Sequence, residues 1–120
     1  MKLAADLAVA LVAALHVGFL VLEMFLWTRP VGRKVFGLPP EFMAASASLA
    51  ANQGLYNGFL AAGLAWGLIL GTAGFGVKVF FLSCVIAAGL FGAATAKRSI
   101  LWIQAAPAAL GLLLVWLSRP

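Results

Sequence analysis

The sequence is poor in the residues that most active-site chemistry uses. Its 120 residues include one cysteine, one histidine, one tyrosine and three acidic residues, and only 9% are charged. Cys84 stands alone in an apolar run, which leaves no intrachain disulfide and no thiolate metal cluster. Its setting disfavours the thiolate and suits a small packing residue. The single imidazole, His16, has no evident nucleophile partner for a Ser-His-Asp or Cys-His arrangement. One histidine, one membrane glutamate and neutral amides fall short of a closed zinc or iron site, and haem ligation by His16 would need a second axial ligand from another subunit. Asp6 and Glu41 belong near opposite interfaces, which removes a paired-carboxylate mechanism. Neither a metal nor any other cofactor is expected, and an enzyme is the least supported reading.

What the chain has is apolar length. At 65% hydrophobic residues and a mean hydropathy of +1.12, it lies far from a soluble domain, which averages about 45–50% apolar and about 25% charged residues. The net charge of +5 does not indicate nucleic acid. Arg29, Arg33, Lys34, Lys97 and Arg98 sit between apolar runs, where cations meet lipid headgroups, and no basic face carries interleaved aromatics. The partner this composition implies is a lipid bilayer.

Four apolar runs predict one all-α domain, a four-helix transmembrane bundle with antiparallel neighbours and spans at about 3–27, 43–70, 77–96 and 100–117. The first run is longer than the roughly 7–15 residues of a signal-peptide core and contains Asp6, His16 and Glu23, so it reads as a retained helix. Residues 28–40 read as the longest polar connection, with Pro30 ending the first helix and Val35, Phe36 and Leu38 dipping into the interface. Pro40 and Glu41 then start a long second helix. Residues 71–76, Gly-Thr-Ala-Gly-Phe-Gly, form a short turn that lacks the strand and the Lys-Ser/Thr ending of a phosphate loop. Pro107 is a kink candidate in the fourth span. Five cations in loops one and three against three on the other side (Lys2, Lys78, Arg119) place those loops in the cytoplasm and both termini outside.

Polarity inside these runs marks the candidate site. His16 and Glu23 are seven residues apart, about two turns of helix at roughly 3.6 residues per turn, and so share a stripe. An ionisable group in a span is costly and is by default a functional-site hypothesis. The densest polar cluster is Asn52-Gln53-Gly54-Leu55-Tyr56-Asn57-Gly58. At about 1.5 Å per residue, Glu23 and Gln53 each lie about 10 Å towards the loop-one side of their span centres and Asn57 about 4 Å, while Gln104 lies about 9 Å inward from Arg98 on that same side. His16, Glu23, Asn52, Gln53, Tyr56, Asn57 and Gln104 therefore form a candidate intramembrane polar site. Gly54 and Gly58, with Gly63, Gly67 and Gly71 on nearly the opposite side, offer small-xxx-small steps for helix packing.

Five motifs bear on family. His16-x-x-Phe19-x-x-x-Glu23-Met24-Phe25-Leu26-Trp27, Val35-Phe36-Gly37 and Ala51-Asn52-Gln53-Gly54-Leu55-Tyr56-Asn57-Gly58-Phe59-Leu60-Ala61-Ala62-Gly63 resemble the domain-of-unknown-function 1304 family, as do Gly89-Leu90-Phe91-Gly92-Ala93 and Gln104-x-x-Pro107-Ala108. The resemblance runs over essentially the whole chain. It implies a small four-span integral membrane protein and brings no activity with it.

Two functions are then weighed. In one, the polar site binds or moves a proton or a small polar or cationic solute, with Glu23 as the binding group and His16 relaying or tuning it; four short helices leave little room, so a homodimer sharing the site is one arrangement. In the other, the polar residues and glycines pack against partners, and the chain is a structural or accessory subunit of a larger membrane complex.

Overall fold

Helical periodicity in the apolar runs becomes six α-helices in a computed structural model that describes residues 1–120: α1 (Lys2–Met24), α2 (Pro30–Phe36), α3 (Pro40–Ala45), α4 (Ala47–Ile69), α5 (Phe75–Thr95) and α6 (Ala106–Leu117). A 3-10 turn (Gly71–Gly74) precedes α5, and a π-helical stretch (Leu101–Ala105) precedes α6. The protein is all-α, with no strands. By length and composition, two helical stretches suffice to cross a membrane, Lys2–Met24 and Gly71–Thr95, while Leu101–Leu117 is apolar but shorter.

The boundaries depart from the sequence reading in several places. α1 stops at Met24 rather than reaching Trp27. Pro30, expected only to end a helix, opens α2, as its fixed φ and missing N–H suit the first helical position. Gly37 closes α2 in the left-handed conformation (φ 64°), its N–H donating to Arg33 O at 2.9 Å. Thus 30–36 is a helix and not a loop. The expected long second helix is interrupted at Ser46, whose hydroxyl donates to Phe42 O at 2.7 Å and accepts from Trp27 Nε1 at 3.2 Å. Such back-bonding by serine bends helices.

Pro107, the kink candidate, is the second residue of α6 and follows a π-helical stretch that ends at Ala105. Proline withholds one N–H from the ladder, and a π turn is a common way to absorb that loss.

The chain divides into two compact units, residues 1–14 with 60–120 and residues 15–59. The first holds the apolar core: Ala5, Val9 and Val12 of α1, Leu64 of α4, Leu82 and Val85 of α5, and Ala108 and Val115 of α6. Buried positions recur at intervals of three and four residues (Lys78, Leu82, Val85, Gly89 in α5), the narrow seam of left-handed helix packing. Small residues bring the backbones together: a Cβ on Gly89 would lie 2.7 Å from Ala105 N, and Gly63 is closed by the Phe81 ring.

In the second unit, Met43, Ala50, Gly54 and Asn57 are buried, as are His16 and Gly32. A Cβ on Gly32 would collide with the carbonyl oxygens of Leu26 and Trp27, so α2 lies directly on the turn that ends α1. The Trp27 and Phe36 rings pack there with centroids 4.7 Å apart and planes tilted by 51°.

Candidate functional site

The central pair is Glu23 and Asn57. On α4, the buried stripe of the second unit is Ala50, Gly54 and Asn57, again at intervals of four and three residues. Gly54 and Gly58 bracket Asn57 and lie against α1: a Cβ on Gly54 would sit 2.7 Å from Met24 Cγ and 3.1 Å from Glu23 Cβ, and one on Gly58 2.6 Å from Leu20 Cδ1. A methyl group at either position would have to displace these side chains; with hydrogen there, α4 packs close against α1 and Asn57 Nδ2 donates to Glu23 Oε1 at 2.5 Å. The small-xxx-small step is therefore what aims the amide at the acid.

Glu23 is partly buried and Asn57 is 8% exposed. His16, two turns before Glu23 on α1, is fully buried, with its ring edge-on to Phe19 at 5.1 Å. No buried side-chain nitrogen or oxygen lacks a hydrogen-bond partner. Nowhere do three or more His, Cys, Asp or Glu side chains converge so as to hold a metal ion.

The other sequence candidates are placed differently. Asn52, Gln53 and Tyr56 are exposed. At about 100° per residue, Asn52 and Tyr56 project about 130–170° from the centre of the buried stripe and Gln53 lies at its edge. Depth along the helix put these residues with Glu23; azimuth separates them. Gln104 is half-buried in the π stretch and belongs to the other unit. Of the five glycines, Gly54, Gly58, Gly63 and Gly67 are close-contact positions. Gly71 is not: its φ of 61° ends α4 in a left-handed turn, with open space where a Cβ would stand.

A second polar centre escaped the sequence reading. Asp6 of α1 accepts from Lys2 Nζ at 2.9 Å and from Lys78 Nζ at 3.2 Å. Lys78, counted from sequence only as a topology cation, is 6% exposed and also donates to Gly71 O at 3.5 Å. Its aliphatic stem lies over Gly67, where a Cβ would come within 2.7 Å of Lys78 Cγ. A cation one turn into an apolar helix, directly after a glycine-rich turn, is the signal that would have flagged it.

Residues 10–116 match the sequence profile of a family described as "Protein of unknown function (DUF1304)". The chain belongs to this family. A relative in sequence, the uncharacterized protein YpaA of Lactococcus lactis subsp. lactis (strain IL1403), is 29% identical over 94 residues, which cover 77% of this chain and 79% of that protein. No solved structure matches. The DUF1304 match takes in His16, Glu23, Asn57 and Lys78 and begins after Asp6.

Proposed function

We propose that the chain is a small integral membrane protein, with its four apolar runs spanning the bilayer, that binds or moves a proton or small cation at Glu23. The membrane part is supported by surface chemistry. Only 17% and 22% of the most apolar stretches of Lys2–Met24 and Gly71–Thr95 are buried inside the protein. Leu3, Leu7, Leu11, Ile69, Phe80, Phe91 and Trp102 are all exposed. Apolar surface on this scale is the chemistry of a lipid-facing wall.

The site part rests on one observation, a carboxyl group held by a neutral amide rather than by a cation. A carboxylate bound to Lys or Arg is already neutralised. One bound to Asn57 keeps its charge to offer, and Oε1 accepts the amide N–H whether the group is ionised or protonated. Proton or cation exchange at Oε2 thus leaves the Asn57 bond in place. His16, on the same stripe of α1, is the group that would relay or tune the proton.

Flux into proteoliposomes under an imposed cation or pH gradient tests the reading. Glu23→Gln keeps the shape and the hydrogen bond to Asn57 but removes the exchangeable charge, and flux should be lost. Unchanged flux in that variant would sink the role of Glu23.

A further inference from the structure

The outward side of the first half of α4 carries polar groups that the fold leaves uncovered. Leu49, Asn52, Tyr56 and Phe59 follow one another at intervals of three, four and three residues, the spacing of a coiled-coil seam, and all four are exposed, with Gln53 beside them. No charged residue interrupts the stripe. Farther along the same side of α4, Gly63 and Gly67 already serve as a helix contact, closed by Phe81 and Lys78.

We propose that this stripe is where a second copy of the chain docks, α4 against α4. The proposal rests on the membrane reading above, because lipid offers no hydrogen-bond partner to two carboxamides and a phenol. A second copy does offer them. A carboxamide carries both donors and an acceptor and is complementary to itself. Copies inserted in the same orientation are related by a two-fold axis along the membrane normal, so the α4 helices run parallel and each seam residue faces its own counterpart. Asn52 then meets Asn52, and each amide can donate to the other's oxygen. Tyr56 and Phe59, with ring centroids 6.1 Å apart, add apolar area beside the amides.

Disulfide trapping in native membranes, on a Cys84→Ser background, tests this. Leu49→Cys and Phe59→Cys flank the amides and leave them intact; each should yield a species of twice the chain mass. Leu11→Cys and Phe80→Cys, on exposed positions of α1 and α5, should not. Adding Asn52→Leu with Gln53→Leu should lower the dimer-to-monomer ratio on the order of tenfold, or about 1.4 kcal/mol. No trapping at Leu49 and Phe59, equal trapping at all four positions, or adducts of another mass (a different protein on this face) would overturn the proposal. Carbonate extraction of the same membranes separates the two readings. Retained protein without dimers counts against the docking alone, whereas released protein removes the membrane reading and the docking with it.

Discussion

Asp6 and Glu23 lie on one helix, and their surroundings differ in one decisive respect. Asp6 has two lysines on its carboxylate, one from its own helix and one from α5. Glu23 has a neutral amide. An acid matched by cations is a joint: its charge is spent holding helices together, and removing a partner exposes a cost. An acid matched by an amide is positioned without being neutralised. On the proposed reading, the two ends of α1 separate a fastening from a candidate site, although composition alone gives both as an acidic residue in an apolar run.

The comparison breaks most visibly in transport. Glu23→Gln should reduce proteoliposome flux by about tenfold or more, the scale of 1.4 kcal/mol of lost binding, while Asp6→Asn should leave flux nearly unchanged. Equal losses in the two variants would erase the distinction. Stability should reverse the ranking. Lys78→Met removes a charge-assisted bond and should cost about 1.5–3 kcal/mol in thermal unfolding in detergent. The loss should stop short of the roughly 3–5 kcal/mol of a stranded buried charge, because Asp6 is about one-third exposed and keeps Lys2.

Gly54→Ala places a methyl group against Met24 and Glu23 and should cost about 1–3 kcal/mol by overpacking, with flux falling as Asn57 is levered away from the acid. Asn57→Leu should have the smallest effect on stability, about 0.6 kcal/mol for a membrane hydrogen bond, yet it should impair flux as Gly54→Ala does. A large stability loss with normal flux in Asn57→Leu would make the Glu23–Asn57 bond another fastening.

Much of the helical layout was legible along the chain, because apolar length, proline and glycine act locally. The Gly-rich turn at 71–76, the disturbance before Pro107 and the shared stripe of His16 and Glu23 all follow from spacing. The helix at 30–36 was missed because its polar composition outweighed two correct local signals, a proline at the first position and a glycine just past the last. The break at Ser46 was hidden for another reason: it depends on Trp27, 19 residues away.

By itself, the sequence determined that this protein is all-α, that at least two of its helices are long and apolar enough to cross a membrane, and that Glu23 and the Asn52–Asn57 cluster are its unusual polar features. Those are properties of single residues and of their spacing in one helix. Only the tertiary structure decided which members of the cluster meet. Asn57 turns to Glu23 because Gly54 and Gly58 let two helices touch, while Asn52, Gln53 and Tyr56 face outward. Lys78 reaches Asp6 across 72 residues of chain. Such pairings depend on the rotation of one helix against another, a quantity that no single helix encodes.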